Sequence, residues 1–268
     1  GDLVTTESWA NLTLNEGFAN YSEYLWLEHK YGRDEADFHE MNERQGYVYS
    51  ALDGGHALID FGYEDKENMF DAHSYNKGGA ILHMLRHQIG DEAFFSALNR
   101  YLKKNEYTDV EAHELRLAFE DVTGQDLNWF FNQWFFSPGH PNLDINYDWN
   151  AETKEVSVTL TQTQDASKGT PFIFDLPMAV DIYDAAGKAR REQIRMTKRS
   201  QVFTFKAAEK PALVNVEAEK TLLAVKNDGH TDEEWAFMYR NAPLFMDRWE
   251  AIDHLQATSS PLAKAILT

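Results

Sequence analysis

Three stretches of the chain carry side chains whose types and spacing could do chemistry. In Leu14-Asn15-Glu16-Gly17-Phe18-Ala19 a carboxylate, Glu16, stands near the start of a helical pattern. Glu23 follows seven residues later, two turns along the same face. In Ser74-Tyr75-Asn76-Lys77-Gly78-Gly79-Ala80 a tyrosine, Tyr75, opens another helical pattern. His83 and His87, spaced one helical turn apart, could hold a metal. Read alone, each has an ordinary explanation. A glutamate at a helix start is favoured by the helix dipole, Glu23 reads equally well as a solvated residue, and a tyrosine at a helix start commonly packs or caps. His83 and His87 flank the polar side of a helix whose other face is core. His29, His39, His56, His73 and His113 show no ligand spacing with a matching carboxylate. No Ser-His-Asp order, P-loop or dinucleotide fingerprint occurs. Gly78 and Gly79 are more telling. A glycine inside a helix is unfavourable by about 1 kcal/mol, so two in succession predict that something approaches this helix closely.

The elements that must position these residues follow from periodicity. Residues 14 to 31 predict one helix ending at Tyr31-Gly32, with Phe18, Tyr21, Leu25 and Trp26 as its buried stripe. A helix is expected over 34 to 50, followed by a break at Asp53-Gly54-Gly55 and an acidic, solvated loop from Asp60 to Glu67. Four more helices are expected: 72–89, 92–104 capped by Asp91, 110–123 capped by Thr108 or Asp109, and 127–136 capped by Asp126. The last is rich in Trp129, Phe130, Phe131, Trp134, Phe135 and Phe136 and reads as core. From about Leu143 to Val225 the period becomes two, with turn signals at Asn150-Ala151, Lys168-Gly169 and Asp184-Ala185-Ala186-Gly187. This predicts an antiparallel β-sandwich of roughly seven strands. Residues 232 to 256 turn helical again.

Bulk composition narrows the function classes. The formal charge of −19 argues against nucleic acid, which needs a basic footprint, and against an anionic membrane surface. An acidic, solubilising surface is the simpler reading. With no cysteine, disulfides and thiolate metal sites are excluded and the compartment is left open. No stretch approaches the ~18 apolar residues of a membrane helix.

Taken together, the motifs resemble the aminopeptidase N and leukotriene A4 hydrolase family of zinc peptidases. In that family an H-E-x-x-H helix is followed by W-F-G-(N/D)-L-V-T, a Trp, and L-N-E-G-F-A. Gly1-Asp2-Leu3-Val4-Thr5, Trp9 and Asn15-Glu16-Gly17 follow that pattern, and Ser74-Tyr75-Asn76-Lys77-Gly78-Gly79 resembles the family's S-Y-x-K-G-(A/G) segment. Gly139 and Pro141 resemble its G-x-P exit into a β domain. The resemblance implies that Glu16 is the third zinc ligand, that Tyr75 donates to the oxyanion of the tetrahedral intermediate, and that Glu23 supports a ligand histidine. One Zn2+ per full-length chain is expected, with both histidines and the general-base glutamate lying before Gly1. The implied fold is α+β and multidomain. Residues 1–141 form the C-terminal helical lobe of a thermolysin-like catalytic domain, 142–227 a β-sandwich, and 228–268 the start of a helical domain. The implied substrates are peptides with a free N-terminus. With one ligand of three, this chain is expected to bind zinc weakly and to lack activity alone. Trp9 and Phe18, left without the H-E-x-x-H helix, would favour self-association. Two alternatives stay open: a degenerate scaffold without metal, and an epoxide hydrolase built on the same zinc site. Retention of both Glu16 and Tyr75 favours catalysis over the scaffold.

Overall fold

The structure is a computed structural model describing residues 2–52, 55–258 and 261–267. Gly1, Thr268 and the Asp53-Gly54 part of the expected break lie outside the described residues. The chain divides into two compact units, Gly1–His140 with Asp165–Pro171, and Pro141–Gln164 with Phe172–Thr268.

The first unit is helical. A short strand, β1 (Thr5–Thr6), pairs in parallel with β2 (Asp109–Val110). The helices are α1 (Thr13–Tyr31), α2 (Arg33–Ser50), α3 (Gly78–Ile89), α4 (Asp91–Lys104), α5 (Ala112–Thr123) and α6 (Asn128–Trp134). Gly32 and Gly90 have positive φ and let the chain leave one helix and enter the next at once. The buried stripe of α1 differs from expectation. It is Leu14, Gly17, Tyr21 and Tyr24, whereas Trp26 is exposed. Tyr24 is drawn inward because its hydroxyl donates to Asp37 at 3.0 Å. Hydropathy gave no hint of that hydrogen bond.

The His83 and His87 expectation is also corrected. His83 lies in the interior at 2% exposure, where the Tyr21 hydroxyl meets its Nδ1 at 3.2 Å. Burial holds the ring well below the usual histidine pKa. The Tyr21 hydroxyl also accepts from Arg86, which reaches Glu28 at 2.7 Å and Asp91 at 2.8 Å. Asp91 therefore sits in the first turn of α4 as an ion-pair partner, and Gly90 takes the capping position. Helix α5 is closed at its start by Glu111 and Glu114, and not by Thr108 or Asp109. Helix α6 is shorter than expected and has Leu127, not Asp126, at its N-cap, although Asp126 just outside it accepts from the Asn128 amide at 2.8 Å.

The second unit opens with two sheets. One has the order β7 (Ser200–Lys206), β4 (Glu155–Gln162), β3 (Asn142–Asn150), β9 (Val225–Asp228). The other has the order β6 (Ala189–Met196), β5 (Leu176–Tyr183), β8 (Leu213–Val216). Val156, Val158 and Leu160 face inward as their alternation requires. Phe203 and Phe205 are half-buried, while Val202 points out. One pairing departs from an all-antiparallel sandwich, because β9 runs parallel to β3. The helical stretch expected at 232–256 is two helices, α7 (Asp232–Asn241) and α8 (Phe245–Gln256), followed by α9 (Pro261–Leu267). Pro243 stands in the break, where its ring and missing N–H suit a non-helical link. Trp235, Met238, Ala251 and Leu255 pack with Tyr183 and Leu213. Below them Lys220, fully buried, contacts Asn215 at 2.9 Å, Glu250 at 2.6 Å and Asp247 at 3.5 Å. The buried cation is thus matched by carboxylates from α8.

Candidate active site

The approach foretold by the two glycines is a backbone contact between α1 and the segment leading into α3. A Cβ on Gly78 would stand 2.9 Å from the Gly17 Cα and 2.3 Å from the Thr13 hydroxyl oxygen. The Thr13 hydroxyl also donates to the Ser74 carbonyl at 3.0 Å. Just ahead of Gly78 the chain makes one wide π-type turn, His73–Lys77, which presents Tyr75. Such turns are frequent at functional sites.

These contacts bring the two sequence-predicted residues together. Glu16 lies in the first turn of α1 and Tyr75 in the wide turn. The Glu16 carboxylate lies close enough to the Tyr75 hydroxyl to act on its proton. Burial, then the neighbouring Glu16 carboxylate, push the tyrosine above its ordinary pKa. Tyr75 is therefore a protonated donor throughout the neutral range, and both side chains are only half-buried. Glu23 is not drawn into this pair. Its side chain is 67% exposed and its near neighbour is His39, 3.7 Å away.

The wide turn is held by residues that the motif did not single out. Asp71 Oδ1 accepts from the amides of His73 at 3.0 Å and Ser74 at 3.1 Å, and its carbonyl accepts from the Tyr75 amide at 3.1 Å. Asp71 Oδ2 lies 2.9 Å from both His56 Nε2 and His73 Nδ1. His56 and His73 thus do share a carboxylate, contrary to the sequence reading. Burial tends to raise the Asp71 pKa, but the hydrogen bonds from His56, His73 and Ser74 outweigh it and leave the carboxyl well below the usual range. His56 is raised chiefly by its bond to Asp71. The available signal was an aspartate two and three residues ahead of the amides it caps.

Lys77 of the same turn is fully buried, over the ring of Tyr47 at 5.7 Å and 3.4 Å from the Ser137 carbonyl. Burial pulls its pKa down to about 7. The folded-state value lies below the unfolded one, so the buried amine weakens the fold. That penalty is full below about pH 7 and fades as pH rises toward the free-lysine value of 10.5. Lys77→Met should therefore stabilise the chain by about 1–2 kcal/mol at pH 6 and by less at pH 9. Urea melts at the two pH values would check this, and an equal gain at both would rule out a buried titrating amine.

With this geometry in view, comparison with known proteins is decisive. Residues 1–134 match the model of the peptidase family M1 domain. The chain belongs to peptidase family M1. Residues 139–219 match a domain of unknown function described as having an Ig-like fold, in keeping with the sandwich. Relatives of this M1 chain include aminopeptidase M1-A of Oryza sativa subsp. japonica, 31% identical over 63% of the chain and 19% of the relative. Aminopeptidase N of Escherichia coli is 24% identical over 96% of the chain and 31% of its own length. The tricorn protease-interacting factor F2 of Thermoplasma volcanium is 31% identical over 70% of the chain and 24% of its own length. The M1 chain thus spans about a fifth to a third of these relatives. In fold it is similar to an aminopeptidase A of Legionella pneumophila solved with aspartic acid, with a TM-score of 0.79 at 19% identity, covering 100% of this chain and 31% of that one.

Proposed function

We propose that this chain is the part of a zinc-dependent aminopeptidase that carries one metal ligand and the oxyanion donor, within a protein that removes N-terminal residues from peptides. The observation that carries the reading is the close contact of Gly17 with Gly78, which sets the Tyr75 hydroxyl near enough to the Glu16 carboxylate for that carboxylate to raise the tyrosine's pKa. It brings the two residues singled out by the motifs together at the half-exposed junction of α1 and the wide turn. The donor set suits zinc, since a half-exposed carboxylate is a usual third ligand. Two histidines from a segment preceding Gly1 would complete it. Bound zinc would supply a water of pKa near ~7 as nucleophile. Glu16 holds its carboxylate toward the site, and Tyr75, kept protonated, donates to the oxygen that gains charge as the scissile carbonyl is attacked. Alone, this chain is expected to have no peptidase activity, and α7 to α9 are read as the start of a further helical domain. Glu23 is proposed to brace a ligand histidine through the exposed carboxylate it presents.

The test is zinc content and aminopeptidase rate of the protein that joins this chain to the H-E-x-x-H segment. Glu16→Ala is expected to lose metal. Tyr75→Phe is expected to keep metal and lose rate. A wild-type protein that binds no zinc and cleaves no peptide would replace this reading with that of a peptidase-like scaffold.

A further inference from the structure

His56, Asp71 and His73 have no part in the proposed hydrolysis, yet their arrangement is specific. His56 Nδ1 lies 2.7 Å from the Ala57 carbonyl oxygen. A carbonyl only accepts, so Nδ1 carries the proton. In the neutral ring the lone pair then sits on Nε2, 2.9 Å from Asp71 Oδ2. Two lone pairs do not face each other at that distance unless a cation lies between them. His73 Nδ1 stands 2.9 Å from the same carboxylate oxygen, and the two imidazoles stack with centroids 4.4 Å apart. If protons alone filled both gaps, His56 would be an imidazolium stacked on a second imidazole. The other His73 nitrogen, Nε2, is buried without a hydrogen-bond partner, in a side chain 6% exposed. The ring can therefore present either nitrogen without giving up another bond.

We propose that His56, Asp71 and His73 form a structural binding site for a divalent transition-metal ion of the zinc class. The three donors lie within 4.8 Å of one another, and two imidazoles with one carboxylate are a donor set that zinc accepts, water taking the fourth position. A backbone carbonyl holding the far nitrogen of a ligand histidine is a usual supporting contact, and His56 has it in Ala57. Bonds of about 2.1 Å in a tetrahedron separate ligands by roughly 3.4 Å, so the 2.9 Å contacts need open by only about half an ångström. Entry of the ion releases the protons now shared with Asp71. Glu16 is not among the ligands. Because Asp71 Oδ1 caps the turn that presents Tyr75, the ion would clamp His56 and its loop to the entry of that turn.

The experiment uses this chain with Glu16→Gln, which removes the other candidate ligand, and zinc chloride as probe. Bound zinc is measured by mass spectrometry after equilibrium dialysis, and Co2+ is titrated for its ligand-field absorption. The expected result is one ion per chain, with binding weakened by more than ~10-fold in both His56→Gln and His73→Gln. Added zinc should also raise the thermal midpoint of the Glu16→Gln chain and leave that of Glu16→Gln/His56→Gln unmoved. Asp71→Asn is the less useful variant, since it also strips the cap. Folded Glu16→Gln protein that takes up no zinc overturns the proposal, and so does uptake indifferent to both histidine substitutions. Neither result bears on the role of Glu16 and Tyr75 in hydrolysis.

Discussion

Tyr75→Phe, made in a protein that joins this chain to an H-E-x-x-H segment, is expected to lower kcat by about 10²–10³-fold, the usual effect of losing one oxyanion donor. Zinc content should be unchanged, because Glu16 keeps its carboxylate. KM should change little, since the hydroxyl acts on charge that develops only after attack. The geometry favours so large an effect. Asp71 holds the backbone of the turn that carries Tyr75, so the tyrosine is positioned before the charge appears. Its raised pKa keeps the proton in place through neutral pH. Steady-state kinetics with metal analysis on the same samples make the check. A variant that loses rate only through a higher KM would point to a binding role.

Gly78→Ala should lower stability by about 3 kcal/mol, at the severe end of overpacking. The added methyl would meet the Gly17 Cα at 2.9 Å and the Thr13 oxygen at 2.3 Å. Backbone cannot swing aside, and Thr13 is already committed to the Ser74 carbonyl. The helix gains only about 1 kcal/mol from alanine over glycine. Gly79→Ala provides the comparison. Its methyl would meet the Asn20 amide oxygen at 2.1 Å, the end of a side chain, with the nearest backbone atom 3.5 Å away. Asn20 can turn if it releases Glu43. Gly79→Ala should therefore be the milder of the two in denaturant melts, and the reverse order would show that α1 and the wide turn part more easily than their contact implies.

Much of the molecule was legible because it depends on local rules. Helix α1, the change to period two near Leu143 and the stop at Gly90 follow from spacing and from the conformations that glycine permits. Glu16 and Tyr75 were legible only through a motif, since each alone looks like an ordinary helix-start residue. What stayed hidden depends on long-range pairing. Tyr24 is buried with its hydroxyl donated to Asp37 of α2, and His83 is buried with its Nδ1 against the Tyr21 hydroxyl. His56 and His73 lie seventeen residues apart with no regular period, and only the capping carboxylate of Asp71 joins them. The wide turn at 73–77 was equally silent, because the same residue types would fit an ordinary first turn.

That turn sets the angular phase of everything after it. A π-type turn holds more residues than an α-turn, so the residues before Gly78 leave the helix at a different azimuth from the one α3 alone would assign. A chain shortened by one residue between His73 and Lys77 could relax to regular winding and bring Tyr75 round by about 100°. If the residue lost were Asn76, then Ser74, Tyr75, Lys77 and Gly78 would keep their order, but the hydroxyl would point away from Glu16. Between sequences that share these residue types, the number of residues from Asp71 to Gly78 therefore discriminates more sharply than their identity.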